Sequence, residues 1–88
     1  MIGNFPGEPF GAEAAIGWHL RQIDHHDNEA TMADAIGEPF LVPTIKHHEA
    51  KAHEHRTRLD ALEVEFPETA RVARRDLEAE YRRAGEDA

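Results

Sequence analysis

Two runs of a 3-4 repeat constrain this chain more than any other feature. Ile16, His19, Ile23, His26, Ala30 and Ala33 form the first run. Ile45, His48, Ala52, His55, Leu59, Leu62 and Phe66 form the second. This spacing keeps one face of a helix turned toward a partner helix. In each run histidine takes two positions where Leu or Ile is the usual choice. Imidazole changes charge near neutral pH and is the commonest protein ligand for metals. The seam therefore combines packing with chemistry.

The chain is short of core. It has 88 residues and a net charge of −8. Ile, Leu, Val and Phe number only 17, a fraction at the edge of what disordered chains show. The apolar residues are nevertheless periodic, and 14 alanines favour helix. The expected outcome is an all-α domain that is completed by self-association or by docking onto something larger. Residues 1–40 carry seven acids against one base, Arg21, and this repels phosphate. Nucleic acid and anionic membrane are therefore poor partners. Without cysteine, disulfides, thiolate metal sites and thiol catalysis are excluded. No transmembrane stretch or signal peptide can be read, so an intracellular location, or one inside a virion, is expected.

Breakers divide the chain into an arm and three helices. Residues 1–11 are too rich in Gly and Pro for helix or central strand and read as an extended arm. Its Ile2, Phe5 and Phe10 could lay apolar anchors into a neighbour's groove or fold back on their own chain. Helix 1 is predicted from Ala12 to Ile36, passing unbroken through Asp27-Asn28 and stopped by Gly37 and Pro39. Helix 2 is predicted from Pro43 to Glu65. Pro67 then opens a third helix within residues 67–88, read from Pro67 to Ala84 and stopped by Gly85, either as a kinked continuation or as a reversal. The tetrapeptide Gly-Glu-Pro-Phe occurs at Gly7–Phe10 and again at Gly37–Phe40, each time ahead of a helix. Coincident use of good breakers accounts for it better than duplication does.

Residues 12–66 thus read as an antiparallel, coiled-coil-like hairpin, joined by residues 37–43 and followed by a C-terminal helix. With that connection His26 is expected opposite His55, Ile23 opposite Leu59, Ile16 opposite Phe66 and His19 opposite Leu62. Ala33 would then face His48. Two imidazoles meeting at a desolvated seam would resist protonation.

The histidines support a metal reading, with His26, His55, His48 and His19 as candidate ligands for zinc or another transition metal. His25 and Glu29 lie four apart on one face of helix 1. Their spacing resembles one piece of the hemerythrin pattern, but the rest of that pattern is missing. The Glu-x-x-His of di-iron bundles and the His-Glu-x-x-His of zinc hydrolases are also missing. The plainer reading leaves His19, His25, His47 and His53 in solvent while the other three form a polar layer that fixes register. In that case no cofactor is needed.

No nucleophile, phosphate loop or isolated carboxylate pair points to catalysis. On helix 3 the arginines 71, 74, 75, 82 and 83 are interleaved with acids, as on a solvated flank. The sequence therefore favours a non-enzymatic structural or interaction module, either a homo-oligomer or a subunit of a larger protein assembly such as a virion. Phe5, Phe10, Ile16, Trp18, Ile23, Leu59, Leu62 and Phe66 are its candidate contact residues. A small His-rich metal-binding protein is the first alternative, and an acidic inhibitor that mimics nucleic acid is the second.

Overall fold

The computed structural model describes residues 5–87 and contains three helices: α1 (Ala12–Ile36), α2 (Val42–Glu65) and α3 (Pro67–Asp87). A single 3-10 turn, Pro39–Leu41, leads directly into α2. Among the described residues there is no strand, and no helix is long and apolar enough to cross a membrane. Ile2 lies outside the described residues.

Helix α1 runs through Asp27-Asn28 without a break, since the apolar repeat stays in phase across them. It stops at Gly37, whose φ of 75° lies in the left-handed region that glycine enters without steric cost. Its N–H reaches back to the Ala33 carbonyl, as in a glycine helix stop. At the other end of the hairpin Phe66 closes two helices at once. Its N–H donates to the Leu62 carbonyl, and its own carbonyl accepts from Ala70 N–H. Pro67 follows, with a φ suited to a first helical position and no amide to leave unpaired.

The chain therefore reverses at Phe66 and does not continue as a kinked helix. Arg21 pairs with Glu80, and Tyr81 donates to Asp24, so α3 runs beside α1 in the same direction. Arg74 pairs with Glu63 and ties α3 to α2. The core lies between the three helices: Ala15, Ile16, Leu20 and Ile23 from α1, Leu59 and Leu62 from α2, and Ala70 and Leu77 from α3. Buried Ala33 and Ala52 bring α1 and α2 together farther along the hairpin.

The hairpin register is shifted from the sequence expectation by about half a heptad, so that His55 sits between His19 and His26, and His26 between His55 and His48. His26 faces His48, and His19 faces His55. The expected meeting of His26 with His55 is kept as a ring stack, while His19 meets His55 in place of Leu62. The cause is the connection. Residues 39–41 were expected in a loop but form a helical turn continuous with α2, which leaves Gly37 and Glu38 as the link. A shorter link slides α2 along α1 by about half of that repeat, so the seam histidines of the two helices alternate along the axis.

The last hydrogen bond from α3 to α1 is made at Asp24. Beyond that level the hairpin carries Met32, Ile36, Phe40 and Val42, all exposed.

Candidate functional site

Residues seven apart on a helix share a face, so α1 presents His19 and His26 to α2, which answers with His55 and His48. The Nδ1 atoms of His19 and His55 lie 2.8 Å apart, as do those of His26 and His48. The rings of His26 and His55 stack with centroids 5.7 Å apart and planes 21° from parallel. The four imidazoles thus form one column along the seam, in the order His19, His55, His26, His48.

The inner end of the column is sealed. His19 is completely buried and His55 nearly so. Phe5 lies against both rings, with centroids at 4.9 and 4.7 Å, and the Trp18 ring packs beside them. The arm reaches this position through a tight turn, in which Glu8 N–H donates to the Phe5 carbonyl across Pro6-Gly7. Gly7 has φ 84°, as the third residue of a type II turn requires, and a Cβ there would lie 3.4 Å from the Trp18 ring. The turn delivers Glu8 to His19. The His19 Nε2–H donates to Glu8 Oε1 at 2.6 Å, while Arg58 donates from Nε and Nη2 to the two carboxylate oxygens.

This arrangement assigns the proton positions in the neutral column. The Nε2–H of His19 is committed to Glu8, so its Nδ1 is an acceptor. His55 must then donate its Nδ1–H to His19. Among the described residues no buried side-chain polar atom lacks a partner.

Electrostatics follow from the same contacts. The His55 pKa falls to about 4, chiefly because burial disfavours the cation, with His19 and His26 adding repulsion. Burial also lowers that of His26, helped by His25 and His48. The Arg58 hydrogen bonds hold the Glu8 carboxyl below its usual value, and the His19 bond adds to this.

The candidate ligands His19, His26, His48 and His55 are therefore brought together, but as two facing pairs. Among the described residues no three His or carboxylate side chains converge on a metal-sized point. The expectation that His19 is solvated is corrected by its complete burial. Of the candidate contact residues, Ile16, Ile23, Leu59 and Leu62 are used in the chain's own core. Phe5 folds back onto the histidines and is not a free anchor. Trp18 is half-buried, while Phe10 is fully exposed and Phe66 borders on exposed. Two site residues, Glu8 and Arg58, were missed. Arg58 lies one turn beyond His55, a spacing that could have suggested it, whereas Glu8 arrives only through the fold-back of the arm.

The latch is testable. Glu8→Ala removes the carboxylate that Arg58 and His19 share and is expected to cost about 1–3 kcal/mol. Trp18 emission should shift to the red as Phe5 leaves, with helix content nearly unchanged. An unshifted emission would mean that Phe5 holds the arm without Glu8. Comparison with family models, curated proteins and solved structures finds no match to this chain, so function has to be argued from its own residues.

Proposed function

We propose that this chain is a non-enzymatic interaction module whose hairpin end docks onto a second copy of itself. The carrying observation is the outer end of the hairpin, where Met32, Ile36 and Phe40 are 62%, 64% and 73% exposed and Val42 is 45% exposed. These side chains lie past the last hydrogen bond between α3 and α1, which Tyr81 makes to Asp24. Two such ends placed face to face about a two-fold axis make four helices, a closed arrangement with an interior for apolar side chains. Each buried apolar side chain contributes roughly 1.5–3 kcal/mol. That is large beside the stability a core this small can supply. The histidine column supports the same reading in a different way, because a polar seam favours one helix register over its one-heptad neighbours.

Glu29, Asp34 and Glu38 surround the end with negative charge, against which stands Lys46. Two copies would repel at long range, so self-association should strengthen with salt as screening grows. Sedimentation of the full chain over a concentration series tests this. The wild type is expected to form dimers, more readily at high salt, and Ile36→Glu with Phe40→Glu should remain monomeric with its helix content intact. A wild type that stays monomeric throughout would overturn the reading, as would a double variant that dimerises equally well.

A further inference from the structure

We infer that His25, His47 and His53 make the docking of two hairpin ends depend on pH, so that the copies repel one another in mild alkali and pair in mild acid. This rests on the self-association proposed above and names what controls it. Six of the seven histidines lie between residues 25 and 56, the stretch that forms the outer part of the hairpin. The same stretch holds six acids and three bases, a net charge of −3 while its histidines are neutral. His26, His48 and His55 are engaged in the seam, whereas His25, His47 and His53 are exposed. An imidazole in solvent changes charge between about pH 8 and about pH 5. Charging the three exposed rings cancels the −3 and leaves the outer hairpin close to neutral.

These rings are near enough to the apolar end to act on a partner docked there. His47 lies five residues beyond Val42 on α2, about 7.5 Å along the axis. His25 lies eleven residues before Ile36 and His53 eleven beyond Val42, each about 17 Å along its helix. The screening length is about 30 Å in 0.01 M salt and about 8 Å in 0.15 M, so repulsion between the two ends is felt most in dilute salt.

The groups around the three imidazoles are mixed. Glu29 lies one turn from His25 on α1, and Glu49 one turn before His53 on α2; both favour the charged ring. Lys51 lies one turn from His47 and opposes its charge, though it also pairs with Glu54. Across the seam the His48 ring meets that of His25 with centroids 6.2 Å apart, and the His26 ring lies 5.0 Å from it. His26 and His48 are bonded to each other through Nδ1, and burial lowers the His26 pKa, so His26 resists the charge that exposed rings take up. His55, held at about 4, stays neutral in the same window. From α3, Tyr81 donates to Asp24 with its phenol pushed up to about 12, so it adds no change of charge.

Sedimentation of the full chain at about pH 8 and about pH 6, each in dilute and in concentrated salt, is the test. In about 0.01 M salt the dimer association constant is expected to rise roughly fivefold between the two pH values, as repulsion across about 20 Å is removed. In about 0.3 M salt the difference should vanish. A triple variant, His25→Gln with His47→Gln and His53→Gln, should dimerise as the wild type does in alkali but show no pH response. Its salt dependence should be the same in acid and in alkali, and far-UV circular dichroism checks that it is folded. Ile36→Glu with Phe40→Glu should stay monomeric in acid, which separates docking from a general loss of solubility near the isoelectric point. A wild-type dimer equally strong at both pH values in dilute salt would overturn this inference and leave the self-association reading standing. A triple variant that keeps the pH response would overturn it too, and a chain that never dimerises would overturn both.

Discussion

Ile16→Ala is expected to remove roughly 3–4 kcal/mol of stability, enough to leave a large part of the population unfolded at ordinary temperature. Ile16 has no exposed surface, and the side chains around it are few. Eight buried residues form the apolar cluster, and two of them, Ala15 and Ala70, contribute little area. Domains of this size are stable by only about 5–10 kcal/mol, so one cavity in so small a cluster is a large fraction of the total. Little nearby can move to fill it, because the neighbouring layer is a pair of rigid, hydrogen-bonded imidazoles. Val64→Ala is the comparison: Val64 is 85% exposed, and its truncation should fall within about 0.5 kcal/mol of wild type. Denaturant titration distinguishes the two. If Ile16→Ala unfolds no more readily than Val64→Ala, the core described here is not the one that holds the chain together.

The second large effect is a loss of stability in mild acid. His55 takes up a proton at about pH 4 in the folded chain and at about pH 6.5 in the unfolded one. Its folded pKa is depressed, so its contribution is fully present above the unfolded value and is lost as pH falls toward the folded one. In that window the unfolded chain binds more protons and is favoured. Between about pH 7 and about pH 5 the loss from this group alone is roughly 2 kcal/mol. His26, whose pKa is also lowered by burial, adds in the same direction. The groups facing His55 do not cancel this. His19, His26 and Lys51 oppose its charge, and Glu54 favours it more weakly than they do together. His19→Leu combined with His55→Leu should flatten the acid slope, measured with a chelator present. His55→Leu alone should destabilise at both pH values, because it leaves His19 Nδ1 buried without a donor. A double variant with the wild-type slope would place the acid sensitivity elsewhere.

Much of this fold can be read from the residues, because local chemistry decides it. Gly37 and Pro39 stop α1 whatever surrounds them, and the apolar repeat carries α1 past Asp27-Asn28 as expected. The hairpin and third helix follow from two long periodic runs and a proline. The register does not follow, for a reason built into the repeat. A slip of about half a heptad puts seam residues back on the seam, because the repeat alternates threes and fours, so the spacing cannot distinguish His26 level with His55 from His26 lying between His55 and His48. The length of the connection decides between them, and Gly-Glu-Pro-Phe fits a loop as well as it fits a first helical turn. The candidate site was half legible for the same reason. The four seam histidines stood out by spacing, whereas the Glu8–Arg58 pair joins residues fifty positions apart and leaves no local signature.

The one-residue joint at Phe66 has a consequence for how this chain can change over generations. Phe66 closes α2 and opens α3 with its own amide and carbonyl, so the joint holds no slack. A residue added or lost in the first turn of α3 would rotate the rest of that helix by about 100° and carry Leu77 out of the cluster. The two-residue link at Gly37 and Glu38 is bound as well, because its length sets which residues of α1 and α2 meet. Both joints of the bundle thus hold the chain to its present length, and a change between them that keeps the core has to come by substitution.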